Sequence, residues 1–220
     1  MHIVTIEDPI EFEITSDKSA ISQREVGVDV VDFQDGVHAA MREDPDIIMV
    51  GEIRDIDTLR HTLLAAESGH LVLGTIHTRD APATIGKLIG YFPPDEQLVA
   101  RLRLADALIV TISQTLLPMK GARTRIVATE LMVATPLIRE RIRDAEKSRG
   151  LVDAMERNRG ESGMHTFDDS VMALIRQGII EPDVAKRAVR SPDQVMRLMH
   201  EEGLVPMPAD ELAVVGNWTP

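Results

Sequence analysis

Residues 42–55 read Arg42-Glu43-Asp44-Pro45-Asp46-Ile47-Ile48-Met49-Val50-Gly51-Glu52-Ile53-Arg54-Asp55. At the centre lies a compact apolar run, 46–50, fenced by Pro45 and Gly51. A short apolar run bounded by turn residues reads as a buried strand. Because Gly51-Glu52 comes at once after it, the strand delivers a carboxylate at its end. Two neighbouring runs repeat the pattern. Ile3-Val4-Thr5-Ile6 is rich in β-branched residues and leads into Glu7-Asp8-Pro9-Ile10-Glu11, where Pro9 prevents simple continuation. The run 71–76 leads into His77-Thr78. Helical spacing at 34–43, and again at 55–68 through Ile56, Leu59, Leu63, Leu64 and Ala66, sets helices between these strands. Gly69 suits the end of the second. Strands alternating with helices predict a parallel α/β sheet. Ligands of open parallel sheets bind beyond the carboxyl ends of the strands, so carboxylates and an imidazole are expected at one edge.

Further along, a helix is predicted over 82–91 with Pro82 in its first turn. A longer one is predicted over 95–117, between Pro93-Pro94 and Pro118. A strand is expected next, at 126–133. Beyond Pro136 the pattern changes to short helices at 137–146, 151–157, 166–177, 181–189 and 192–201, broken at Gly150, 160–163, Gly178 and Ser191-Pro192. The expected organisation is an α/β core over 1–134, a helical subdomain over 135–202 and a mobile tail over 203–220.

Composition narrows the function. With 220 residues, 44% of them hydrophobic, the chain can bury one sizeable core or a core and a satellite. A formal net charge of −12 argues against nucleic acid as a partner, since phosphate-binding proteins usually carry a basic stripe. There are no cysteines, so disulfides and thiolate zinc sites are excluded. No apolar run approaches the ~20 residues that span a bilayer, and direct membrane insertion is not expected. Taken singly, the strand-end residues have ordinary readings: carboxylates after a strand can start a helix, and a lone histidine is more often structural. A metal-hydrolase reading of His70, His77 and Glu52 is weak, because odd spacing along one strand puts two side chains on opposite faces. His61 has no ligand at the next helical turn.

Together, these segments resemble three motifs of the type IV pilus and type II secretion ATPases. Thr5-Ile6-Glu7-Asp8-Pro9-Ile10-Glu11 resembles the family's Asp box, and residues 42–55 its Walker B segment. Gly51 stands, as in other members, where a generic Walker B carries its Asp. Glu67-Ser68-Gly69-His70-Leu71-Val72-Leu73-Gly74-Thr75-Ile76-His77-Thr78 resembles the His box. The likeness runs from about residue 2 to residue 200. Pro136-Leu137-Ile138-Arg139-Glu140-Arg141-Ile142-Arg143-Asp144 is similar to the Ala-Ile-Arg-Asn-Leu-Ile-Arg-Glu element of the PilT-like retraction branch. Ile138, Arg139, Ile142 and Arg143 match it, while Leu137, Glu140, Arg141 and Asp144 depart, which keeps a PilU-like paralogue open. Gly163-Met164-His165-Thr166-Phe167-Asp168 also resembles that branch. The lack of cysteine fits it too, because extension and secretion motors commonly carry a four-cysteine zinc element.

The resemblance implies a RecA-like P-loop NTPase core followed by a C-terminal helical subdomain. It implies an ATP-hydrolysing motor subunit that powers pilus retraction and twitching motility, with ATP and Mg2+ as cofactors. Glu52 is then the residue that polarises the attacking water and Glu11 the second essential carboxylate, both beside the metal. Glu7 and Asp8 support the magnesium shell, and Thr78 and Arg54 lie on the nucleotide side. His77 and His70 couple the γ-phosphate to neighbouring strands and subunits. Arg24 and Arg54 are assigned structural or inter-subunit roles. Ile138, Arg139, Ile142 and Arg143 form a candidate surface for coupling to the pilus machine; read alone, that helix is an ordinary amphipathic one with solvated arginines. The implied partners are a homohexamer and an inner-membrane pilus platform protein, and the implied place is cytoplasmic, peripheral to the inner membrane at the pilus base.

No G-x-x-x-x-G-K-[ST] phosphate loop occurs in these residues; Gly86-Lys87 is a bare pair. In the family that loop, with a PAS-like N-terminal domain, precedes the Asp box. The core is therefore expected to be incomplete, lacking the phosphate-loop strand and helix, and this chain alone is expected to bind ATP weakly. A non-catalytic fragment or paralogue that only binds the motor hexamer or the pilus machinery is the competing function.

Overall fold

The computed structural model of the chain describes residues 1–205, the surroundings of residues 160 and 161 excepted. Of the tail expected over 203–220, residues 206–220 lie outside the described residues. The chain divides into two compact units, one of Met1–Ile109 with Ala134–Leu151, the other of Val110–Val133 with the described residues from Val152 onward.

In the first unit, β1 (His2–Glu7), β2 (Ala20–Glu25), β3 (Ile47–Val50) and β4 (Leu71–Gly74) form a parallel sheet in the order β2-β1-β3-β4. Val4, Ile6, Ile48 and Val50 are fully buried. Parallel strands are covered on both faces, which is why β1 and β3 read as near-continuous apolar runs. The helices are α1 (Phe33–Ala40), α2 (Ile56–Glu67), α3 (Ala81–Gly90), α4 (Gln97–Ala107) and α5 (Pro136–Arg143). Three of them start on an aspartate whose side chain accepts a first-turn N–H: Asp32 from Asp35, Asp55 from Thr58 and Asp80 from Ala83. Such a cap satisfies a donor that the helix itself leaves unpaired. Each cap thereby fixes where the chain leaves the sheet edge.

Two strands stand where none was expected. A strand, β2, occupies 20–25, where the polar sequence Ala-Ile-Ser-Gln-Arg-Glu gives little sign of one; it pairs in register with all of β1, from His2↔Ala20 to Glu7↔Glu25. The helix expected over 95–117 ends at Ala107, and β5 (Val110–Pro118) succeeds it. Its β-branched Val110, Thr111, Ile112 and Thr115 resist helix and suit a pleated strand. Pairing with β6 (Arg125–Val133) then decides the matter.

That pair is the start of the second unit. β5 and β6 run antiparallel, from Val110↔Val133 to Pro118↔Arg125. The helices α6 (Leu151–Arg157), α7 (Arg159–Ser162), α8 (Phe167–Arg176), α9 (Pro182–Ala188) and α10 (Pro192–Glu201) complete it. Leu117 and Ala128 of the hairpin share one apolar cluster with Phe167, Val171, Ile175 and Met199. Helix α8 opens with a reciprocal capping box between Thr166 and Asp169. Glu130 is fully buried on β6 and pairs with Arg190 Nη2 at 3.1 Å. It also accepts from the Phe167 N–H at 3.3 Å, as a buried carboxylate requires.

Candidate active site

The register of the sheet sets Ile6, Val50 and Gly74 level with one another. The segments that leave the three strands therefore gather at one edge: Glu7-Asp8, Gly51-Glu52 and Thr75 to His77. Gly51 is required here by space. A Cβ at this position would stand 2.8 Å from the Ile6 carbonyl oxygen and 3.2 Å from Glu7 Cα. Its N–H donates to Ile6 O at 2.7 Å. The chain leaving β3 thus runs flush against the end of β1, and Thr75 Oγ1 donates to Gly51 O from the other side. Glu52 is rooted in a backbone held on both flanks.

Both oxygens of the Glu52 carboxylate are engaged. Arg54 Nε donates to Oε2, and His77 Nε2 lies 3.2 Å from Oε1. The same guanidinium reaches Asp8 Oδ2 through Nη1 at 3.2 Å. Four groups from three chain segments thus meet at one place. Glu52 is 16% exposed, against 54% for Arg54 and 81% for His77, so the carboxylate sits low and its partners lie over it. Hydrogen bonding to Glu52, its negative charge and then that of Asp8 raise the Arg54 pKa above its ordinary value.

Glu7 faces the first strand pair. It accepts from Thr5 Oγ1 at 2.6 Å and from Gln23 Nε2 at 2.9 Å. Gln23 also donates to Phe12 O and accepts from the Ile14 N–H, and Glu25 Oε2 accepts from the Ile10 N–H. Strand β2 thus laces down the loop that carries Glu11. Glu11 itself is exposed and has no polar partner among the described residues. Gln23 and Glu25 went unremarked in the sequence because β2 did. A third contributor, Lys87 on α3, donates to the His77 carbonyl at 3.3 Å; no motif marks it.

Other expected site residues stand elsewhere. His70 precedes β4 and so lies at the amino edge, about 13 Å of strand from the edge that holds Glu52. Its Nδ1 is 2.9 Å from Ala65 O, at the end of α2. Thr78 Oγ1 is 2.6 Å from Thr84 Oγ1, leading the chain into α3. Arg24 pairs with Glu43 at 2.7 Å, while its buried Nε has no partner. The α5 residues are engaged with the fold. Ile138 and Ile142 are fully buried. Arg139 donates to the carbonyls of Ala105 and Asp106, and Arg143 pairs with the Asp106 carboxylate. Cations at a helix C-terminus satisfy its last carbonyls and suit its dipole, so these arginines close α4.

Among the described residues, no three His, Asp or Glu side chains are grouped to hold a metal. Magnesium, however, is commonly held by one or two carboxylates, with phosphates and water completing the shell. Glu52 and Asp8, joined through one guanidinium, are a donor set of that kind. No helix among the described residues is long and apolar enough to cross a membrane.

Known proteins resemble this chain over most of its length. The family model described as "Type II/IV secretion system protein" matches residues 1–190. A type IV pilus retraction ATPase, PilT of Pseudomonas aeruginosa, is 43% identical over 192 residues, covering 87% of this chain and 55% of that protein. A twitching motility protein of Neisseria gonorrhoeae is 40% identical over 194 residues, covering 88% of this chain and 51% of its own length. The crystal structure of the pilus retraction motor PilT with bound ADP superposes with a TM-score of 0.80 at 41% identity, covering 89% of this chain and 55% of that one. The chain spans about half the length of the curated relatives it matches.

Proposed function

The chain belongs to the type II/IV secretion system protein family, and from that premise we propose that it supplies the water-activating half of an ATP-hydrolysing motor that retracts type IV pili and so drives twitching motility. The α/β fold with its parallel sheet is consistent with a RecA-like P-loop ATPase core. The observation that carries the reading is Glu52: a low-lying carboxylate at the end of β3, with one oxygen on His77 and the other on Arg54. Phosphoryl transfer asks little covalent chemistry of the protein and much positioning. In this reading Glu52 accepts a hydrogen bond from the attacking water and aims it. The His77 imidazole fixes the carboxylate's orientation and would sense the terminal phosphate. Asp8 and Glu7 line the adjoining strand end, and Glu11 stands exposed on the loop laced to β2.

When bound, magnesium–ATP would supply the charge stabilisation that the transferring phosphate needs. Glu52 and Asp8 would hold the cation on the protein side. The phosphate cradle is a set of backbone N–H groups and a lysine in a glycine-rich loop, a motif these 220 residues do not contain. The partners in this reading are further copies of the motor subunit in a homohexamer and a platform protein of the inner membrane, with the motor cytoplasmic at the pilus base. Replacing the matched 192-residue segment of the Pseudomonas relative with this chain tests the reading in cells. Twitching restored by the chimera, and lost again with Glu52→Gln, is the expected result. A stable, hexameric chimera that hydrolyses no ATP would favour a binding module instead.

A further inference from the structure

We propose that Arg54 is a displaceable latch, competing with a divalent cation for Glu52 and Asp8, so that the carboxylate is freed for water only as the cation–triphosphate arrives. The inference rests on the water-aiming role proposed for Glu52.

Its basis is who holds which oxygen. One guanidinium ties together carboxylates from two different strand ends, Glu52 at Oε2 and Asp8 at Oδ2. These are the oxygens that a cation between the strand ends would need. A dication and a guanidinium cannot both sit there without strong like-charge repulsion, so one excludes the other. Arg54 is suited to leaving. It is 54% exposed, and exposed ion pairs are weak.

Glu52 is also suited to being left. Its other oxygen stays 3.2 Å from His77 Nε2, so the carboxylate keeps its aim when Arg54 departs. The backbone next to the latch is anchored, because Asp55 caps α2 through the Thr58 N–H at 2.7 Å. The motion therefore falls to the Arg54 side chain. Beside it opens a hollow of about 340 Å3 walled in part by Asp32, Asp55 and Asp57. Those carboxylates give a displaced guanidinium somewhere to go.

Mn2+ titrated into the complete 220-residue chain, monitored by the loss of its free-ion electron paramagnetic resonance signal, tests the latch without requiring turnover. Arg54→Gln is expected to tighten Mn2+ binding on the order of three- to tenfold, as two partly exposed ion pairs cease to compete. Arg54→Lys keeps the charge but not the fork that spans two carboxylates, and is expected to tighten binding by an intermediate amount. Adding Glu52→Gln should abolish both gains. If Arg54→Lys binds like the parent while Arg54→Gln binds more tightly, only long-range charge is at work and the latch is overturned. If neither Arg54 variant gains while Glu52→Gln still weakens binding, the latch fails and the metal reading of Glu52 survives. Mn2+ binding indifferent to Glu52 in every variant would overturn both.

Discussion

The carboxyl edge of the sheet and the contact between α4 and α5 both turn on arginines, and they use them in opposite ways. At the edge, Arg54 lies across side-chain carboxylates and is half exposed. At α5, Arg139 donates to main-chain carbonyls at the end of α4, between the fully buried Ile138 and Ile142. A carbonyl at a helix terminus has no second job, so the arginine that satisfies it is there for stability. A carboxylate can exchange a guanidinium for a cation, a water or a phosphate-bound metal. The partner, and not the arginine, separates chemistry from architecture. The retraction-type element of α5 shows the architectural use: Ile138 and Ile142 are fully buried, while Arg139 donates to carbonyls of α4 and Arg143 pairs with Asp106.

That contrast can be broken by stability measurements. Ile142→Ala removes a fully buried side chain and is expected to cost about 2–5 kcal/mol, read as a lower urea midpoint with an unchanged slope. A loss below about 1 kcal/mol would mean that α5 does not depend on its buried face. Arg139→Met keeps the stem and removes the cap, and about 1–2 kcal/mol should be lost. Arg54→Gln is expected to leave the urea midpoint nearly where it is in the parent, since exposed ion pairs contribute little. Should Arg54→Gln destabilise as much as Arg139→Met, the two regions are not different in kind.

The smallest effect concerns pH. The hydrogen bond from Lys147, and then its charge, hold the Glu140 pKa below its ordinary 4.5. A depressed carboxylate contributes stability that is present above 4.5 and lost as pH falls through the lower folded value. Glu140→Gln should therefore flatten the acid limb of the stability profile slightly. An unchanged limb would mean that the pair is idle.

How far the sequence disclosed this depends on how local each signal is. The runs at Ile3 to Ile6 and 46–50 are apolar on both faces, so the parallel sheet and the edge bearing Glu52 were legible. So was the aspartate that opens α2. Strand β2 was not, because Ser22, Gln23, Arg24 and Glu25 are polar and the strand exists through its pairing with β1, a contact remote in sequence. Strand β5 passed for the end of a helix because Leu116 and Leu117 suit either state, and only β6, after an intervening turn, resolves it. The ties that bring Asp8 and His77 to Glu52 and Arg54 were illegible for the same reason. Motifs mark which residues reach an edge; they do not say which atoms meet there.

The most direct measurement is ATP turnover by the purified chimera in which this chain replaces the matching segment of the Pseudomonas PilT relative, with and without Glu52→Gln. If Glu52 aims the attacking water, the variant should lose on the order of a hundredfold or more in kcat while binding ATP within about threefold of the parent. An active parent chimera whose Glu52→Gln form turns over ATP at a similar rate would contradict the assignment, and the catalytic carboxylate would have to be sought elsewhere.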